Sequence, residues 1–336
     1  MSRSSFWYDN VGPTMAAART GFAMLVAVAA AAPLTGCRRS LPPPSTNAAT
    51  EAGSTENPDA GARSPEVSTY DLDADLRSRV GAAKGLWGPD THVGTVANTF
   101  VIVAADRKVV LVQAVSLAAR ALDALFHDRF RLRPDRAVTV TLWSTAAGYD
   151  AYCSKRVGSA CGDDLGVYIV RTSEILVNVA PGLTTLTHEI VHPIVQHDFP
   201  LAPKWLDEGL ASLFEAPVFP SPGEIHGVPN WRMPSLAAAL ARSDERSRPR
   251  LEALFGMSDD TFLNGDRLLH YAMARALCEW LDERNELWPF YQAWRDAGSG
   301  DPDGLLAFQS VVHETPAQAN GEWARWVVGR SRGYRR

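Results

Sequence analysis

The sequence has no surplus of basic side chains: 33 Lys and Arg stand against 38 Asp and Glu, a net charge of −5. Binding through nucleic-acid phosphates needs a cationic face, so nucleic acid is not expected among the partners. No apolar run reaches the roughly 20 residues that a membrane-spanning helix requires; the longest covers 21–34. No internal repeat is apparent. What is there is 46% hydrophobic and 21% charged over 336 residues. These are ordinary globular proportions, enough for one large domain or two small ones.

The short apolar run follows Arg19 and ends in Leu34-Thr35-Gly36-Cys37. Its length and flanks read as an export signal over 1–36, and the tetrapeptide resembles a bacterial lipobox. The resemblance implies cleavage after Gly36 and lipidation of Cys37, an anchor of two or three acyl chains that would hold the protein at a membrane. Arg38 follows the cysteine where an inner-membrane retention signal would carry Asp, which favours the outer membrane, with a periplasmic or surface-facing position. Asp9 and Trp7 suit a signal poorly, so translation from Met15 is an alternative to Met1. Residues 37–70 hold Pro, Ser, Thr, Ala and Gly with scarcely a large apolar side chain, and read as a disordered tether of about 30 Å reach. Cys153 and Cys161, eight residues apart around a glycine-containing stretch, are expected to close a disulfide loop in an oxidising compartment, and Cys278 to be a buried thiol.

From residue 71 the pattern is globular. Strands are expected over 98–104, 137–143, 166–170 and 174–179, with helices over 107–127, 146–153 and 183–196. Beyond 219 the pattern is helical, over 235–242, 250–255, 266–283, 287–296 and 315–329, with tryptophans that serve helix packing. The expected fold class is α+β: a sheet-containing part over 71–216 and a helical part over 217–336.

His188-Glu189-Ile190-Val191-His192 lies in the 183–196 helix. The i, i+4 spacing puts both imidazoles on one face, within reach of one metal ion. Glu189, about 100° further round, lies beside the ion as general base for hydrolysis. At this composition the pattern arises by chance in roughly 1% of chains. Glu208 follows His192 by sixteen residues within Trp205-Leu206-Asp207-Glu208-Gly209-Leu210-Ala211.

This second segment resembles the W-x-x-E-G-x-A motif of gluzincin metallopeptidases, and residues 98–280 look closest to the peptidase-MA-like branch. The resemblance implies a zincin-like fold with a mixed sheet, an active-site helix and a helical C-terminal subdomain. It also implies a zinc site of His188, His192 and Glu208, and a peptide or protein substrate. Asp198, at the metzincin third-ligand position, ranks second to Glu208, because Val195 stands where that pattern needs a turning glycine; His197 ranks third, pointing about 140° away from His192. Pro193 is expected to kink the helix or end it early. Asp207 occupies a position where related sequences often carry Asn, and Ser212 one where thermolysin-like enzymes place an acid.

Amide hydrolysis also needs a donor for the developing oxyanion. Tyr271, opening Tyr271-Ala272-Met273-Ala274-Arg275, resembles the tyrosine of the family's downstream helix, with Arg275 suggesting a polar face and His226 and His270 as lesser candidates. An extended substrate would lie on an edge strand, 166–170 or 174–179. No Gly-Ala-Met-Glu-Asn-like segment precedes His188, so the aminopeptidase N type of exopeptidase is unsupported and an endopeptidase is expected. The expectation is thus a zinc metallopeptidase that hydrolyses peptide bonds through a metal-activated water with Glu189 as base. The alternative is an inactive zincin-fold surface lipoprotein that binds a cell-envelope partner.

Overall fold

The computed structural model describes residues 70–333 apart from 107, 108, 110, 159, 160 and 163. The expected leader, Cys37 and the tether up to residue 69 lie outside the described residues. Among the described residues no helix is long and apolar enough to cross a membrane.

Five strands form one mixed sheet: β1 (Val93–Val96), β2 (Phe100–Ala104), β3 (Val138–Trp143), β4 (Gly166–Ile169) and β5 (Glu174–Asn178), in spatial order β1-β2-β3-β5-β4. The three central strands β2, β3 and β5 run parallel, and β1 and β4 close the two sides antiparallel. Burial on both faces explains the near-continuous Phe-Val-Ile-Val run of β2. Phe100 and Ile102 enter the main core, whereas Val101 and Val103 pack on Ala83 of α1 (Leu72–Trp87). Likewise Ile175 and Val177 of β5 join the main core and Leu176 packs with Tyr149 and Cys153 of α3 (Ala146–Val157). The face with the larger core is covered by α2 (Leu111–Leu125) and α4 (Thr184–Asp198).

The fold is therefore α+β with a five-stranded mixed sheet. The four expected strands are present, and β1, a four-residue strand containing Gly94, is added at one edge. Helix α1 also escaped the pattern, because only Ala83 of its sixteen residues is fully buried and its apolar stripe is thin. After α5 (Lys204–Leu213) the chain is helical: α6 (Arg232–Leu240), α7 (Leu251–Phe255), α8 (Asp259–Asn264), α9 (Arg267–Glu283), α10 (Leu287–Ala297), α11 (Leu305–Val312) and α12 (Pro316–Gly333). Trp280, Trp294 and Trp323 are buried in this half, and Trp288 and Trp326 pack against the same core.

Pro193 does not end α4. The proline removes one backbone hydrogen bond, yet the helix runs on to Asp198. Asp198 holds that last turn: its buried carboxylate accepts the backbone N–H groups of Arg131 and Leu132 at 3.0 and 2.6 Å, the Tyr291 hydroxyl at 3.1 Å and the Arg295 guanidinium at 2.9 Å. Cys153 and Cys161 are joined as a disulfide with Cα atoms 5.7 Å apart, and Cys278 is a buried free thiol.

Candidate metal centre

Helices α4 and α5 build the site together. Helix α4 buries Leu186, Ile190, Val191 and Ile194 against the sheet and α5, which turns His188 and His192 toward a cleft of about 660 Å³. His188, Glu189 and His192 bring donor atoms within 4.8 Å of one another, a group able to hold a metal ion. Glu208, on α5, closes the set. Its Oε2 lies 3.5 Å from Nε2 of His188 and 4.0 Å from Nε2 of His192. The Glu208 oxygen therefore stands near both imidazole nitrogens, and the donor set of two imidazoles and one carboxylate is one that a metal ion such as zinc accepts.

The tautomer of His192 is fixed from behind. Nδ1 of His192 lies 2.8 Å from Oδ1 of Asp207, and an ionised carboxylate only accepts, so Nδ1 carries the hydrogen and Nε2 faces the cleft. Oδ2 of Asp207 accepts from Nζ of Lys204 at 3.0 Å. Burial alone would raise the Asp207 carboxyl, but His192 and Lys204 hold it below its ordinary range. Burial likewise opposes charge on His192, yet Asp207 and Glu208 push it up to about 10. Glu208 is held at about 2, its burial outweighed by His192 and His188 and by a hydrogen bond from Tyr271. Glu189 is the exception: burial dominates and raises its carboxyl despite both histidines.

Close packing sets the distance between the walls. At Gly209 an added Cβ would lie 2.9 Å from the Cys278 Sγ and 3.0 Å from the Ala274 carbonyl oxygen. The glycine thus lets α5 approach α9 and brings Glu208 beside Tyr271. Opposite, Gly166 opens β4 directly over Glu189, where an added Cβ would overlap the Glu189 carboxylate.

Tyr271 lines the cleft, its hydroxyl close enough to Glu208 to interact with the carboxylate and its ring stacked on Phe262 at 5.0 Å. Arg275 does not share that face. It is 2% exposed and turned inward, donating to the Ser212 and Val228 carbonyls and to Glu279. His226 pairs with Asp282 at 3.0 Å, His270 bonds the Phe262 carbonyl at 3.1 Å, and neither lines the cleft. Asp198 is committed to α4's last turn and His197 lies 3.7 Å from Asp135, so neither alternative ligand reaches the site. The Ser212 hydroxyl is buried without a hydrogen-bond partner among the described residues. Gly166, at the start of the expected strand 166–170, lines the cleft, and so do Asp164, Trp231 and Arg267; no spacing signal in the sequence marked these last three, which come from separate parts of the chain.

Fold and site together define an α+β protein whose cleft floor carries a His-Glu-x-x-His group able to hold a metal ion. A family model described as "Protein of unknown function (DUF1570)" matches residues 182–297. The matched stretch runs from the turn before α4 to the end of α10, so it includes His188, His192, Glu208 and Tyr271. No curated protein matches the chain.

Proposed function

We propose that the protein is a zinc-dependent peptidase of the gluzincin type with a zincin-like fold. The observation that carries this reading is the convergence of Nε2 of His188, Nε2 of His192 and Oε2 of Glu208 in one cleft, with Glu189 beside them. His188, His192 and Glu208 would hold the ion, which when bound supplies Lewis acidity toward a water and a scissile carbonyl.

The chain's own groups do the rest. Glu189, buried and raised, is suited both to accept a proton from the attacking water and to give it up later. The hydroxyl oxygen bonds to the carbonyl carbon, Glu189 passes the proton to the amide nitrogen, and the C–N bond breaks to release an amine and a carboxylic acid. Tyr271, whose hydroxyl is kept protonated by burial and by Glu208, donates to the carbonyl oxygen as negative charge develops.

Strand β4 supports an extended substrate. Asn178 N–H donates to the Leu165 carbonyl at 2.8 Å and Gly166 lies opposite Val177. By antiparallel alternation Gly166 and Tyr168 direct their N–H and C=O groups away from β5, along the cleft side. A peptide added there would pair by β-augmentation at these two residues. Export and anchoring through Cys37 complete the proposal, and place the substrate in the cell envelope.

The test is cleavage of a fluorogenic peptide library by wild type and Glu189→Gln. The variant should keep its zinc and lose about 10²–10⁴-fold in rate. Undiminished cleavage by Glu189→Gln would remove the assigned base, and a zinc-loaded wild type that cleaves no peptide would favour the binding-protein alternative.

A further inference from the structure

Asp164 and Arg267 reach across the cleft from opposite walls and meet at 2.9 Å. Asp164 stands two residues before Gly166, the residue pressed on Glu189. Arg267 stands one helical turn before Tyr271, the residue beside Glu208, and its Cζ lies 5.3 Å from the tyrosine ring centroid. The ion pair therefore bridges the walls immediately beside the reacting position. The disulfide between Cys153 and Cys161 ties the chain just ahead of Asp164 to α3.

A peptide laid along β4 past Gly166 advances about 3.4 Å per residue, so it meets this bridge after one or two residues. Strand pairs are more often antiparallel than parallel. An antiparallel peptide on β4, which runs from Gly166 to Ile169, points its C-terminus toward Asp164 and Arg267. The pair is weakly held, with side chains 52% and 51% exposed, and exposed pairs contribute little. A terminal carboxylate can take the place of the Asp164 carboxylate on the Arg267 fork like for like, leaving Asp164 to water. Arg267 is also the first residue of α9, where the helix dipole favours a negative group.

We infer that Arg267 is a specificity-determining residue that binds the free C-terminal carboxylate of a peptide, confining cleavage to the last one or two residues of the chain. The inference rests on the peptidase reading for its chemistry and replaces the expectation of an endopeptidase. Asp164 is the internal occupant of the carboxylate site and leaves when substrate arrives.

Binding separates this inference from catalysis. The zinc-loaded full chain carrying Glu189→Gln is titrated with an acetylated fluorescent hexapeptide as the free acid and as the C-terminal amide, with Arg267→Gln, Arg267→Lys and Asp164→Asn introduced in turn. The free acid should bind at least tenfold more tightly than the amide. Arg267→Gln should bring the ratio to one, Arg267→Lys should restore part of it, and Asp164→Asn should raise affinity for the free acid by removing its competitor. Circular dichroism of each variant reports folding. Equal binding of acid and amide, binding of neither, or a preference that survives Arg267→Gln would overturn the inference. Wild-type cleavage of the same peptides judges the peptidase reading on its own, and cuts at internal bonds of the amide at the free-acid rate would leave a peptidase without C-terminal specificity.

Discussion

Oδ1 of Asp207 lies 2.8 Å from Nδ1 of His192, and Asp207 is the residue immediately before Glu208 on the same helix. One turn of α5 thus supplies both a candidate ligand and the group that orients another. Replacing Asp207 by Asn keeps the shape and removes the charge. Loss of such an outer partner typically weakens metal binding 10–100-fold, so Asp207→Asn should raise the zinc dissociation constant by about that factor, measured by competition with a chromogenic chelator. An unchanged constant would mean that the contact does not support the metal.

The charged cluster predicts how zinc and protons compete. His192 is raised from its ordinary 6.5 to about 10 in the metal-free protein. A raised pKa contributes stability that is complete below the ordinary value and lost as pH rises through about 10. Near neutral pH a zinc ion must therefore displace about one proton from His192. Calorimetric titration in buffers of differing ionisation enthalpy should show that release, with apparent affinity rising with pH. Zinc uptake without proton release would contradict His192 as a ligand.

Gly166 packs against the assigned base so closely that any side chain must displace it. Gly166→Ala should move the Glu189 carboxylate by a fraction of an ångström or more. Misplacement of about 1 Å can cost about 10²-fold in rate, so kcat on a good substrate should fall by that order while zinc content stays whole. Full activity in Gly166→Ala would show that the base tolerates the shift.

Asp198 and Glu208 are separated by what each holds. Asp198→Ala leaves the Arg295 side chain, only 7% exposed, with Asp296 alone as its partner, and breaking a buried pair costs up to about 3–5 kcal/mol. Its melting temperature should drop sharply with zinc retained by the folded fraction. Glu208→Ala should do the reverse, emptying the site with little loss of fold. Metal content and thermal unfolding of both variants decide the matter, and zinc lost from Asp198→Ala but kept by Glu208→Ala would reverse the ligand assignment.

Much of the site was legible in the chain because its residues are local. The His-Glu-Ile-Val-His spacing is set by the 3.6-residue period of a single helix, and any helix through 188–192 puts both imidazoles on one face. The three central strands were legible for a similar reason: β-branched runs buried on both faces have few other stable arrangements. Pro193 misled, because the sequence displays the lost hydrogen bond but not the contacts with Arg131, Leu132, Tyr291 and Arg295 that hold α4 to Asp198. Arg275 misled in the same way: its position on a helix beside Tyr271 says nothing of the Ser212 and Val228 carbonyls that draw it inward.

The amino-acid order alone determined the mixed helix-and-strand composition, the paired histidines with their neighbouring glutamate, and the recurrence of a glutamate motif sixteen residues on. Only the tertiary structure decided which strand is the open edge, that Gly209 lets Glu208 and Tyr271 meet, that Asp207 stands behind His192, and that Asp164 faces Arg267. The physical reason is distance along the chain. Contacts within one helical turn are dictated by backbone geometry, whereas contacts between residues about a hundred positions apart exist only after every intervening element has packed.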